Sequence, residues 1–333
     1  MRYFGSKAAV VARVHRIVSQ YAKNGTFCDP FGGIGCVGSY FKAAGYRVVT
    51  GDVLRFAHLF QVGRIVLNEI PPFRKLRSHC GVRSTDEIIR LLTSRRGEGG
   101  WLTKEYARKR KFFTTANARA IESCWLAIRE WSDRGLVTAA ESALLLASLI
   151  DSADRVANTA GTYYAYLKAW HRKAVRPFQF RLLTPVRGTL RCESHEKDAH
   201  ALVREVDADV LYLDPPYNQR SHAHYYHLPE TMARSETPSV HGASGIPDTV
   251  AQTSAFNRPS LAADALADII RDAKARVVVV HYATSGLVSE RQIRTMLSPY
   301  KVRSRHVLTA PGYTTQRQPR RTPHIVYVAA SRD

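Results

Sequence analysis

Cysteine is scarce in this chain and carries no pattern. Its 333 residues hold five, Cys28, Cys36, Cys80, Cys124 and Cys192, with no C-x-x-C spacing. Neither a disulfide framework nor a thiolate zinc site is indicated, and a reducing cytoplasm is the expected location. Long apolar runs are also missing. The stretch Ala143 to Ile150 is far shorter than the roughly 20 residues a membrane helix needs, so no membrane partner is expected. Met1 to Lys7 lacks the apolar segment of a signal peptide. No G-K-[ST] follows a glycine loop, which excludes a P-loop triphosphate site, and no Ser-His-Asp or Cys-His arrangement stands out. His222, His224 and His227 cluster beside Tyr225 and Tyr226 without an acidic or cysteine partner at ligand spacing, so no metal is expected.

Acidic residues are the other shortage: 28 Asp and Glu face 49 Lys and Arg, a formal charge of +21. An arginine-favouring composition would give a solvated basic surface with no purpose. Clustering points instead to a polyanionic partner whose binding weakens with salt. Arg108, Lys109, Arg110 and Lys111 are consecutive, and Arg317, Arg320 and Arg321 share one segment.

What is present is a split α/β pattern. Thr26 to Asp52 reads as strand, glycine turn, helix (Cys36 to Ala44) and strand, a βαβ unit. Between about 71 and 185 the periodicity becomes helical, with segments expected over Lys104 to Asp133, Ala139 to Asn158 and Tyr163 to Lys173. Alternation of strands and helices returns from about Thr189: Val210 to Leu213, Arg276 to His281, Lys301 to Leu308 and His324 to Ala330 read as strands. The reading is a discontinuous sheet domain, 1–70 and 186–333, interrupted by a helical insert, 71–185. Pro229 to Arg258 and Ala310 to Thr322 read as loops.

Three motifs carry chemistry. Gly33-Ile-Gly-Cys-Val-Gly38 matches G-x-G-x-x-G with Asp52 closing the next strand, which alone fits a dinucleotide site. The preceding Asp29 and Pro30 tilt it away from a pyrophosphate, since an anion there repels phosphate yet attracts the cationic amino acid part of S-adenosyl-L-methionine. Asp198, in a turn before the next strand, reads either as a contact to the adenine of a bound cofactor or as a lone surface aspartate. Last comes Asp214-Pro215-Pro216-Tyr217 after the apolar Val-Leu-Tyr-Leu. An acid and a proline carbonyl can each accept one hydrogen of a nucleobase amine, localising a lone pair that otherwise spreads into the ring. The prolines hold those acceptors fixed, and Tyr217 offers its face to a base swung out of a helix. The stretch Gly161 to Lys168 mixes tyrosines with Lys168, compatible with nucleic acid or with core packing.

In this order, Arg2-Tyr-Phe-Gly-Ser-Lys7, Asp29 to Gly35, Asp52, a helical insert, Asp198 and Asp214 to Tyr217, the chain resembles the Dam-like, alpha-class, adenine-specific DNA methyltransferases. The resemblance extends to Ala157-Asn-Thr-Ala-Gly161 and to Tyr226 to Arg234. It implies a class I, Rossmann-like S-adenosyl-L-methionine-binding sheet with an inserted target-recognition domain, acting on the 6-amino group of adenine in double-stranded DNA by base flipping. Restriction-modification or epigenetic marking is the implied setting. Tyr3, Gly5, Lys7, Asp29, Pro30, Phe31, Gly33, Gly35, Asp52 and Asp198 would bind the cofactor. Asp214, Pro215, Pro216 and Tyr217 would act on the base. Arg108, Lys109, Arg110, Lys111, Lys168, Arg317, Arg320 and Arg321 would contact DNA. One departure is His281, where a smaller or hydroxylic residue is expected at the floor of the base pocket. Cytosine amino or RNA adenine methylation, and a DNA-binding fold without activity, remain as alternatives, and the sequence leaves oligomeric state open.

Overall fold

A computed structural model describes residues 1–250, 254–311 and 321–331. Nine strands occur among them: β1 Thr26–Asp29, β2 Arg47–Asp52, β3 Glu193–Glu196, β4 Asp207–Leu213, β5 Val240–His241, β6 Ile246–Pro247, β7 Lys274–Ala283, β8 Lys301–Pro311 and β9 Arg321–Ala330. Seven form one sheet in the order β3-β2-β1-β4-β7-β9-β8. β3 through β7 in that order run parallel, while β9 opposes both β7 and β8. β5 and β6 make a separate hairpin. The fold is therefore mixed α/β with a mostly parallel sheet, as the βα alternation led us to expect.

The central strands explain why this sheet is stable. Val210 to Leu213 and Val277 to Val280 are buried, the near-continuous apolar character that parallel strands need when both faces are covered. On one face Leu266, Ile269 and Ile270 of the helix Ala262–Asp272 pack with Val278, Val280 and Tyr327. Strand order reverses between β1 and β4, and the carboxyl ends of strands at such a reversal bound the crevice where open α/β sheets take their ligands.

The chain divides into two compact units. One holds Gly5–Gln61, Val186–Ser221 and Gln252–Asp333, with the large sheet; the other holds Met1–Phe4, Val62–Pro185 and His222–Ala251. The segment from His222, grouped by sequence with the sheet, belongs to the helical unit.

That unit is built on the helices Thr115–Asp133 and Ala139–Asp154. The second starts at a capping box in which Thr138 and Glu141 satisfy each other's backbone amides. Buried Glu122 accepts from the amides of Gly100, Leu102 and Thr103 at 2.6, 2.8 and 3.1 Å.

Two helices expected here are corrected. Lys104 to Asp133 is not continuous: a π-turn over Lys104–Arg108 ends, and the main helix restarts at Thr115 because the Thr114 hydroxyl caps the Asn117 amide. Tyr163 to Lys173 is irregular. Buried Asn158 fastens it, donating to the carbonyls of Lys111 and Leu167 and accepting from the His171 amide. The expected loop from Pro229 contains most of a helix, His227–Arg234, and the β5–β6 hairpin. Most of Ala310 to Thr322, with Arg317 and Arg320, lies outside the described residues, and Arg321 is the first residue of β9.

Candidate active site

Strand register assembles a polar row at the carboxyl edge of the sheet. Cys28 is level with Leu211, so Asp29 falls level with Tyr212; Leu213 is level with Val280, and Asp214 and His281 are the next residue on each strand. His281 stands opposite Val326, and His324 lies two residues from it on β9. Because side chains alternate along a strand, Asp29, Tyr212, Asp214, His281 and His324 share one face. The Tyr212 hydroxyl lies 2.6 Å from His281 Nδ1, and the two imidazoles meet edge to face with centroids 5.2 Å apart.

Lys7 enters this row. Its Nζ lies 2.6 Å from Asp214 Oδ2 and donates to the Gly5 carbonyl at 2.9 Å. The lysine side chain is 3% exposed and that of Asp214 13%. Asp214 Oδ1 is buried and has no hydrogen-bond partner among the described residues. Such an atom costs the fold stability unless something outside the chain completes it. Burial raises the Asp214 pKa, and the Lys7 ammonium opposes the rise. Asp29 is pushed up to about 8, first by burial and then by repulsion from Asp214.

Tyr217 follows, its ring edge-on to His324 at 5.6 Å and to Tyr282 at 6.1 Å, with Lys7 Nζ 5.7 Å from its centroid. Its carbonyl accepts the Leu287 amide. Pro215 is buried and Pro216 half-buried. Buried Asn257 donates to the carbonyls of Asn218 and Arg220 at 2.6 and 3.1 Å, clamping the loop just beyond Tyr217.

The glycine loop is held from neighbouring strands. Gly33 N donates to Asp52 Oδ2 at 3.1 Å, and buried Gln61 donates from Nε2 to the Gly33 carbonyl at 2.8 Å. A Cβ on Gly32 would sit 2.0 Å from Thr50 Oγ1, so only glycine fits. Gly35, at φ 79°, caps the helix Cys36–Ala43. Phe31 packs edge-on against Phe256, and its amide donates to Asp29 Oδ1 at 3.3 Å. Pro30 lies between them and is buried. Asp52 Oδ1 accepts the Leu54 amide, and Asp198 caps the helix Ala199–Glu205 through the His200 amide.

Lys7, Asp29, Asp214 and Tyr217 are thus brought together, with the glycine loop and Asp52 on the adjoining strands. Tyr3 belongs to the helical unit, stacked on Tyr226 at 5.0 Å. In that unit Arg108, Lys109, Lys111 and Lys168 are exposed, and Lys111 Nζ lies 5.9 Å from the ring of exposed Trp170. Arg110 is not part of that surface. Its guanidinium bonds Glu105 and the Gly242 carbonyl and is 10% exposed. Among the described residues no cluster of His, Cys, Asp or Glu could hold a metal ion, and no helix is long and apolar enough to cross a membrane.

Residues 3–296 match the model of the D12 class N6 adenine-specific DNA methyltransferases. The chain belongs to that family. Its relatives include Type II methyltransferase M.FokI of Planomicrobium okeanokoites, 30% identical over 306 residues that cover 90% of this chain and 47% of M.FokI. Modification methylase StsI of Streptococcus sanguinis is 29% identical, covering 91% and 47%. Type II methyltransferase M.NlaIII of Neisseria lactamica is 27% identical, covering 90% and 88%. This D12 chain spans about half the length of M.FokI and StsI and most of M.NlaIII.

Sequence reading missed Gln61, Asn257 and His324, and left His281 as an anomaly. Each acts through partners dozens to hundreds of positions away, which no local spacing announces. His281 was visible as a polar residue closing an apolar strand.

Proposed function

We propose that this chain transfers a methyl group from S-adenosyl-L-methionine to the 6-amino nitrogen of adenine in double-stranded DNA, in the setting of a type II restriction-modification system. The observation that carries the reading is the buried, unsatisfied Asp214 Oδ1 at the strand-order reversal, beside the ring of Tyr217.

The residues present fit the cofactor. The glycine loop turns the chain tightly into the helix Cys36–Ala43 at the sheet edge, Asp29 is a buried acid suited to its cationic amino acid part, and half-exposed Asp52 ends the next strand where a ribose would be held. When bound, the cofactor supplies a methyl carbon on a sulfonium. Asp214 accepts one amino hydrogen through Oδ1 and the Pro215 carbonyl accepts the other, so the nitrogen lone pair is localised toward that carbon. Methyl transfer to that nitrogen would leave it with one proton too many. Asp214, its pKa already raised by burial, accepts it. Tyr217 stacks the extruded base. Arg108, Lys109, Lys111 and Lys168 track the phosphates, and the enzyme works in the cytoplasm, where its DNA lies.

The test is incubation with labelled S-adenosyl-L-methionine and duplex DNA, followed by digestion to nucleosides. N6-methyladenine is expected. Label in cytosine, label in RNA alone, or cofactor binding without transfer would each replace the proposal with a specific alternative.

A further inference from the structure

His281 and Tyr212 have no role in the reaction as described, yet they stand in the row that contains Asp214. The Tyr212 hydroxyl is fully buried, and His281 Nδ1 is its hydrogen-bond partner at 2.6 Å. Satisfying that buried hydroxyl requires the O–H to donate to Nδ1, which places the ring proton on Nε2. His281 Nε2 is buried and without a partner among the described residues, as is Nδ1 of neighbouring His324. Asp214 and His281 directly follow the paired Leu213 and Val280 on adjacent strands about 5 Å apart, so two buried groups of opposite hydrogen-bond sense, an acceptor and a donor, neither with a partner among the described residues, lie on one face of the sheet. An aminated heterocycle with a bare ring nitrogen beside its amine offers the matching donor and acceptor.

We propose that His281, fixed in one tautomer by Tyr212, donates Nε2–H to the adenine ring nitrogen flanking the amino group, and so determines which bases are accepted. This rests on the adenine-N6 reading above. Oxo bases that carry N–H at that position would oppose the donor, and their rejection follows. Both imidazoles stay neutral: burial drives His281 well below the usual histidine value and His324 to about 4, with Lys7 adding to both. The ring of His324, edge-on to both His281 and Tyr217, limits rotation of the pair.

The experiment combines base analogues with variants of the intact chain. Once sequencing has mapped the methylated adenine, duplexes carrying 1-deazaadenine or 7-deazaadenine there are compared with the normal duplex. With the wild type, one analogue should lower kcat/KM about 10-fold, as expected for a buried donor left unpaired. His281→Phe should be slower on adenine yet indifferent to that same analogue, with cofactor binding retained. Tyr212→Phe, which frees the tautomer but deletes only a hydroxyl, should show a reduced penalty and serves if His281→Phe does not fold. Wild-type indifference to both analogues, or a penalty undiminished in the variants, would overturn the proposal while leaving adenine methylation standing. Absence of N6-methyladenine on normal duplex would remove the parent reading instead.

Discussion

The carboxyl edge of the sheet and the basic surface of the helical unit use charge in opposite ways. At the sheet edge a few ionisable groups are buried close together, so each alters its neighbour's proton affinity, and removing one changes the chemistry of the rest. On the helical unit lysines and arginines stand in water, where each adds a modest, salt-screened attraction. Buried charge is thus suited to reaction and exposed charge to capture. Arg110 shows that membership is decided by surroundings: it lies in the basic run by sequence, yet Glu105 and the Gly242 carbonyl bind it inside the fold.

The sharpest way to break this contrast is Asp214→Asn. Methyl transfer should fall on the order of 10³-fold or more, with cofactor affinity changed little, because the proposed general base and amine acceptor is lost; single-turnover rates and cofactor titration would separate the two. Lys7→Met comes next, with kcat expected to drop about 10- to 100-fold. Loss of the ammonium lets the Asp214 pKa rise further, so the acid limb of the kcat–pH profile should move to higher pH; an unmoved limb would sever the coupling.

Asp29 gives a subtler test. Its folded pKa is raised to about 8 against about 4 unfolded, so the native state retains a proton the unfolded chain has released between those values. Stability of the cofactor-free protein should therefore fall as pH rises from about 4 to about 8. Asp29→Asn should flatten that dependence of Tm on pH while weakening cofactor binding.

Smallest are the surface changes. Lys111→Ala or Lys168→Ala should each reduce the slope of log affinity against log salt by about one. Arg110→Ala should leave the slope nearly unchanged and lower Tm, as befits an internal bond.

Much of the candidate site's placement was legible because its motifs are local: Asp29 with its glycines, Asp52 and Asp214 to Tyr217 each end or follow a strand within a short signature. The βα alternation identified the sheet for the same reason. What escaped depends on distant pairing. Gln61 reaches the glycine loop because its helix packs beside β2, and Asn257 clamps a loop some forty residues away. The broken helices after Lys104 and Tyr163 failed because helical periodicity was outweighed by Thr114 and Asn158, whose side chains offer the backbone other partners.

The reversal of β9 has a consequence for how such a chain can change. A parallel strand would deliver its last residues to the reactive edge; running backwards, β9 delivers its first, and His324 arrives there by pairing with Ala283. A slip of one residue would turn the imidazole away and offer Pro323 or Ile325 in its place. The alignment of β9 with β7 therefore fixes which of its residues stands beside His281, and a change that preserves that register preserves the position of the imidazole.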